Sequence, residues 1–322
     1  MSGTYYADHT GDFRRELAET LDKDAVRALH EKSAWRHFLV VARNLAFLVG
    51  AEWLLVTQGW RWFTPLAVLV AGFAVFNFTV LLHEVVHLAV TAQDGKRPGL
   101  IRLLGLAYAM PSGISASQFT RWHLDHHAGL GSPTEDPKRH WLSPKRNSRW
   151  LKLAYYTPLL FPIYFRASAN ENSTYEPALQ KRIRLERWAT ILFQLCFPIL
   201  LWRFAGGETA LRAYILPVFG VFPIAFALNR LGQHYAVTPQ DPAGWSTLVK
   251  GNWFWDFAFL YSNYHLEHHY FPGVPFYNLP RLQKLLTPLY EKHGLPWRGY
   301  AELWWNWIVL NKPPHTDWRT AG

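Results

Sequence analysis

Nine histidines in this chain stand at spacings that gather imidazoles. His83 and His87 lie four positions apart, His123, His126 and His127 form an H-x-x-H-H triplet repeated at His265, His268 and His269, and His234 stands alone. On an α-helix, residues three and four apart share a face, so each group presents its rings in one direction. Neutral imidazole suits zinc, copper, iron and nickel, whereas hard cations such as magnesium prefer oxygen. Nine ligands exceed the four that one zinc ion takes, so two metal ions are implied. Chance explains the short box but not the triplets. With 15 histidines in 322 residues, an H-x-x-x-H spacing arises by accident roughly 0.7 times, and two triplets roughly once in two thousand such chains. So many imidazoles without metal would bury ring nitrogens that need partners, or repel one another as cations.

The elements that must hold these residues are read from hydropathy. Apolar stretches cover roughly 38–56, 64–82, 188–205 and 210–229, each close to the ~20 residues a helix needs to cross ~30 Å of hydrocarbon. Such spans must be helical, because lipid offers no partners to backbone N–H and C=O groups. The first span carries Arg43 and Glu52 near its ends, where long side chains snorkel. The stretches 100–114 and 151–165 are shorter and interrupted by Pro111, Pro158 and Pro162, so they read as interfacial or re-entrant helices. The single cysteine, Cys196, excludes a disulfide framework and any Cys-based zinc or iron–sulfur site; it reads as a small packing residue within the third span. With 17 Trp, 15 Tyr and 21 Phe the chain is not disordered. Its charged fraction of 17% argues against a nucleic-acid-binding protein, although the net charge is +10.

Both connectors within the span pairs are very short, so the spans form two hairpins and the N-terminus, middle and C-terminus share one side. Of 33 Lys and Arg, 28 lie on that shared side, and the positive-inside bias makes it cytoplasmic. The fold expected is therefore all-α and integral to the membrane: four transmembrane helices as two hairpins, with a cytoplasmic helical cap holding a di-metal site. One domain covers 1–322, with a cytoplasmic segment over 1–37, hairpins and insert over 38–230, and a cytoplasmic region over 231–322. The first 37 residues are polar, with no pattern of a removable signal.

The three boxes resemble those of the membrane fatty acid desaturase/hydroxylase superfamily, whose members are di-iron enzymes. The stretch His-Leu-Glu-His-His-Tyr-Phe-Pro-Gly-Val-Pro-Phe-Tyr-Asn-Leu-Pro from His265 resembles the third-box neighbourhood of acyl-lipid desaturases, and the run from His126 to Asp136-Pro137 resembles the stretch just after their second box. The likeness covers roughly 35–290. It implies that His83, His87, His123, His126, His127, His234, His265, His268 and His269 ligate two iron ions, that O2 is co-substrate, and that no catalytic side chain is needed beyond the metal centre. The substrate implied is a lipid or acyl chain. Because no His-Pro-Gly-Gly haem motif is present, electrons come from an external donor of the ferredoxin, rubredoxin or cytochrome b5 type. Some members add a water-mediated Asn four residues before the isolated histidine; here Arg230 holds that place and Asn229 is one position off. The third box opens on His265, not the Gln of front-end desaturases.

Glu84, Asp125 and Glu267 lie inside the boxes, where a carboxylate accepting an imidazole N–H would orient a ligand, with a solvated helix face as the plain alternative. Asn229 is a weaker candidate for the same supporting role, and Asn263, Asp136 and Trp122 are weaker candidates for that role or for a substrate pocket. His9, His30, His37, His140, His293 and His315 fit no box and read as solvated surface residues. Trp304, Trp305 and Trp307 read as an interfacial belt or amphipathic helix. Oxidation of an unactivated C–H bond, most simply desaturation, is the expected activity, with a hydroxylase or ketolase of another apolar substrate such as a carotenoid as the alternative. His83-Glu84-x-x-His87 also matches a zinc protease motif, but that reading leaves six boxed histidines idle. A metal transporter would place ionisable groups at the span centres, which are nearly free of them.

Overall fold

The apolar periodicity and the proline positions resolve into helices throughout. The computed structural model describes residues 6–132, 134–235, 237 and 242–313, with the backbone alone for 6–10. In chain order the helices are α1 (Tyr6–Thr20), α2 (Lys23–Leu29), α3 (Ala34–Thr57), α4 (Thr64–Val86), α5 (Pro98–Ala109), α6 (Ala116–Ala128) and α7 (Arg149–Ala154). Next come α8 (Leu160–Asn172), α9 (Pro177–Ala205), α10 (Gly207–His234), α11 (Trp253–Ala258), α12 (His265–Tyr270), α13 (Leu279–Lys292) and α14 (Tyr300–Trp304). Among the described residues there is no strand, only an isolated parallel bridge between Val249 and Arg298. Two units divide the chain: a spanning unit of Ser33–Arg121 with Tyr155–Ala227, and a histidine-rich unit of Met1–Lys32, Trp122–Ala154 and Leu228–Gly322.

Four helices, α3, α4, α9 and α10, are long and apolar enough to cross a membrane, at 24, 23, 29 and 28 residues. Each outruns its apolar stretch, because a helix continues beyond the hydrocarbon wherever nothing breaks it: α4 runs on into the first histidine box, with His87 as its C-cap, and α10 runs to His234. The stretches 100–114 and 151–165 form no span. The first becomes the 12-residue α5, and the second is split between α7 and α8.

In the spanning unit, Ala51 and Leu55 of α3, Ala67, Val68 and Ala71 of α4 and Ala213 of α10 form one buried cluster. Small side chains let the backbones approach, as membrane helices require in the absence of a hydrophobic drive between them. Gly72 is the extreme case: a Cβ there would lie 2.4 Å from Val221 Cβ and 2.8 Å from the Pro217 carbonyl oxygen. Around Pro217, α10 is wound as a π-helix over Leu211–Val221, since proline supplies no N–H and cannot keep the α-helical ladder. α9 stays α-helical through Pro198; the missing donor there frees the Gln194 carbonyl, which accepts the Tyr214 hydroxyl at 2.8 Å. Arg212, buried near the start of α10, donates to the Leu55 carbonyl at 3.0 Å. The outer face of α9 exposes Leu185, Leu192, Leu195 and Trp202, an apolar surface that water would not tolerate on this scale. Cys196 is exposed on that face, not packed inside as expected.

One contact of this unit sets the start of α6, the helix of the second box. Glu186 of α9 accepts the Ser115 hydroxyl at 2.7 Å, the Ser117 backbone N–H at 2.8 Å and the Ser117 hydroxyl at 2.6 Å. A carboxylate at a helix N-terminus satisfies free N–H groups and meets the positive end of the helix dipole.

In the histidine-rich unit, α13 presents an apolar stripe with Leu282, Leu286, Leu289 and Tyr290 buried, and α12 packs beside it. Phe13 of α1 meets Tyr270 edge-on at 4.7 Å, and Asn278 Nδ2 donates to the Leu29 carbonyl of α2 at 2.9 Å. The Lys152 ammonium of α7 is fully buried; it donates to the Trp307 carbonyl (3.1 Å), Asn311 Oδ1 (3.0 Å) and the Lys312 carbonyl, all in the segment after α14.

Candidate metal centre

Three pieces of the histidine-rich unit bring seven of the nine boxed imidazoles into two sets. His126 on α6, His234 at the end of α10, and His265 and His269 on α12 form the first set, all four buried. The His234 Nε2 lies 3.0 Å from His126 Nε2, 3.0 Å from His265 Nε2 and 3.1 Å from His269 Nε2, and the last two are 3.0 Å apart. Hydrogen bonding alone does not account for this set. One Nε2 holds at most one proton and directs it at one partner, so His234 cannot serve three neighbours. The spacing fits a cation held by converging lone pairs. Two metal–nitrogen bonds of about 2.1 Å set their donor atoms about 3.0 Å apart at a right angle but about 3.4 Å apart in a tetrahedron. The observed edges match the right-angled arrangement, the geometry of six-coordinate metals rather than of structural zinc.

The second set has His123 and His127 on α6 and His268 on α12. His127 Nε2 lies 3.0 Å from both His123 Nε2 and His268 Nε2. On α6 the i, i+4 pair His123 and His127 goes to this set and His126 to the other, so the triplet does not present its three rings in one direction as expected. In the spanning unit, His83 and His87 stand at the last turn of α4 with ring centroids 4.8 Å apart.

Each set is backed by its own second layer. His126 Nδ1 donates to Asp136 Oδ1 at 2.7 Å, and the same oxygen accepts the backbone N–H groups of Lys138 (3.0 Å) and Arg139 (3.2 Å). His234 Nδ1 donates to the Trp245 carbonyl at 3.2 Å. The Trp245 indole lies against Gly131, whose φ of +87° suits glycine and whose missing Cβ would be 2.8 Å from the ring, and the Arg139 guanidinium sits 5.2 Å from the ring centre. His123 Nδ1 is 2.9 Å from Lys138 Nζ. With Nε2 turned into the set, Nδ1 carries the ring proton and donates to a lysine nitrogen, which must then be an amine.

Electrostatics agree with neutral ligands. Burial holds His126 well below the ordinary histidine range, helped by its histidine neighbours His234 and His127, and burial with His127 does the same to His269. Burial, with Arg230 nearby, likewise pushes Lys138 well below an ordinary lysine, leaving the lone pair that His123 needs. Asp136 is raised to about 6 and Glu267 to about 7, both chiefly by burial. Neutral imidazoles keep their lone pairs free for a metal, so no proton must leave first.

Among the carboxylate and amide candidates read from sequence, Asp136 holds a boxed imidazole directly. Glu84 is buried with an oxygen 3.6 Å from His83 Nδ1, too far for a hydrogen bond. Asp125 is half-buried on α6. Glu267 points at α13, where its Oε1 accepts Gln283 Nε2 and the Tyr290 hydroxyl, both at 2.8 Å, and so ties the third box to that helix. Asn229 donates to Ser262 Oγ at 2.7 Å and accepts from Gln233 at 2.8 Å, and Asn263 donates to Asp256 at 3.0 Å. Trp122 is buried beside the second box. His37 is not solvated: it is fully buried, and its Nε2 lies 3.1 Å from the Tyr108 hydroxyl. His30 and His293 are half-buried, bonded to the Val26 carbonyl and to Glu16. The His9 side chain and His315 lie outside the described residues. Residue types alone do not reveal Lys138 or the Trp245 carbonyl. Lys138 comes two positions after Asp136, a spacing with no meaning until the loop is folded, and a carbonyl leaves no mark in residue type.

Known proteins point the same way. The fatty acid desaturase family model matches residues 59–301. The sphingolipid delta(4)-desaturase/C4-monooxygenase of Bos taurus is 27% identical over 312 residues, 94% of this chain and 89% of that protein. Its Homo sapiens counterpart is 26% identical over the same shares. The dihydrorhizobitoxine desaturase of Bradyrhizobium elkanii is 25% identical over 81% of this chain and 78% of that protein.

Proposed function

The chain belongs to the fatty acid desaturase family and is a membrane oxidoreductase that desaturates a lipid, and from that premise we propose how its residues carry the reaction. Two iron ions are held by nine histidines: one by His126, His234, His265 and His269, the other by His123, His127 and His268 with His83 and His87 of α4. The observation that carries this reading is the 3.0–3.1 Å spacing of three buried Nε2 atoms around that of His234. Iron at these positions supplies the activation of O2 that an unactivated C–H bond requires and that no side chain provides. In the net reaction a –CH2–CH2– pair loses two hydrogens to become –CH=CH–, while O2 takes up these and two further protons and two electrons to leave as two waters.

The protein's own part is positioning. Asp136 and the Trp245 carbonyl fix the rings of His126 and His234, Lys138 fixes His123, and Glu267 holds α12 on α13. The two units act as one domain. The four spans form two hairpins with the metal centre on the cytoplasmic side, supported by the Lys and Arg distribution. Electrons arrive from an external ferredoxin-, rubredoxin- or cytochrome b5-type donor.

The substrate proposed is a sphingolipid, because relatives so named match across nearly the whole chain. The same names pair desaturation with C4 monooxygenation, which favours hydroxylation as a second outcome at this site over a carotenoid reaction. Co-expression, then lipid mass spectrometry and iron analysis, tests the reading. A loss of 2 Da in sphingolipids with two irons per chain supports it, and a gain of 16 Da supports the second outcome. A loss confined to other acyl lipids overturns the substrate. An active His268→Ala protein without iron overturns the mechanism.

A further inference from the structure

A patch of exposed aromatic side chains lies on the histidine-rich unit, outside the four long helices. On α11, Trp253, Phe254 and Phe257 are exposed, Trp253 at 80%. Asn252 caps this short helix by accepting the Phe254 and Trp255 N–H groups at 3.1 Å. The helix turns its acid inward: Asp256 accepts Asn263 Nδ2 and the Tyr264 hydroxyl, both at 3.0 Å. What remains outward is aromatic, beside the exposed Lys250.

The patch continues onto α14. Trp255 and Phe259 pack on Tyr300 with ring centroids 4.4 and 5.4 Å apart, and the Val249–Arg298 bridge joins the same two segments. Beyond Tyr300, Trp304 and Trp305 are again exposed, at 38% and 54%. Tyr300 in turn stands over Gly232 in the last turn of α10, so close that a Cβ there would be 2.5 Å from its hydroxyl oxygen. The aromatic patch is therefore built directly on the end of a helix long and apolar enough to cross the bilayer.

The chemistry of the patch selects the surface it meets. Large exposed apolar patches on soluble proteins are rare and mark contacts. Tryptophan in particular concentrates at the headgroup level, where an amphipathic ring has one apolar and one wet side. An aromatic face with Asp256 turned inward, the exposed Glu302 of α14 paired with Arg298 and a lysine at its edge matches an interfacial segment facing anionic headgroups. We infer that α11 and the α14 segment lie in the bilayer interface, with Phe254, Phe257 and Trp305 inserted below the headgroups beside the exit of α10. This contact is separate from the four spans and does not depend on the identity of the metal or substrate.

The test uses the full chain with its single cysteine replaced (Cys196→Ser), reconstituted in phosphatidylcholine–phosphatidylglycerol vesicles. Spin labels are placed one at a time through Phe254→Cys, Phe257→Cys, Trp305→Cys and, as the aqueous control, the exposed Lys284→Cys. Collision with O2, which concentrates in lipid, is compared with collision with a water-soluble nickel chelate. The inference expects the O2-to-nickel ratio at the three aromatic positions to exceed that of the control several-fold. Ratios equal to the control overturn it, because the patch then faces water. Low collision with both reagents also overturns it, because a protein surface, such as a second copy, then covers the patch. Three independent positions keep the result readable if one variant fails to fold.

Discussion

Removing the charge of Asp136 tests the idea that each imidazole set has its own support. Its Oδ1 accepts three N–H groups, one of them from His126. Asp136→Asn keeps the shape and leaves an oxygen for those donors, but replaces a charge-assisted bond of about 1.5–3 kcal/mol by a neutral one of about 1 kcal/mol. The difference, about 0.5–2 kcal/mol, corresponds to a roughly 2–30-fold weaker hold on the metal of the His234 set, overlapping the 10–100-fold usual for such partners. Only His126 among the described ligands is bonded to Asp136, so the effect falls on one ion. Chelator titration of the iron-loaded protein, with the metal remaining on the protein measured at each step, reads this directly. The variant is expected to lose about one iron equivalent at lower chelator concentration, the other leaving near the wild-type value. Simultaneous loss of both ions, or a titration superimposable on wild type, would refute the assignment of Asp136 to a single set.

Two further outcomes are expected. Glu186→Ala removes the acceptor for Ser115 and Ser117 at the start of α6, and leaving buried donors unsatisfied should cost about 2–4 kcal/mol; a thermal melt in detergent unchanged within a degree contradicts it. Lys152 is lowered to about 8 by burial, with Arg149 adding to it. The folded state therefore binds this proton less readily than the unfolded chain, and stability should rise as pH climbs from about 8 towards the ordinary lysine value, and be lost on the way down. Lys152→Met should flatten that slope in denaturation curves taken across the window, and a slope that survives the substitution assigns it to another group.

Much of this architecture is written in residue spacing. The boxes announce their ligands because imidazole positions on a helix obey the three-and-four rule, and the spans announce themselves because lipid demands uninterrupted apolar sequence. Other features depend on chain folding that no local pattern encodes. His37 looks like any polar terminus residue until Tyr108 folds over it, and Glu186 caps a helix that begins 70 positions earlier in the chain. Lys138 is an ordinary surface cation on paper, and only burial beside His123 turns it into an acceptor. Hydropathy misplaces helix ends for a related reason: α4 and α10 do not stop where hydrocarbon stops, since the same rods carry His83, His87 and His234.

That continuity makes the membrane part of the chain a measuring device. Each residue advances a helix by about 1.5 Å and turns it by about 100°. One residue added or removed between Leu228 and His234, within the histidine-rich unit, would swing that imidazole off its three partners. Length here is information: these segments tolerate exchanges of one apolar residue for another far better than any change in their number.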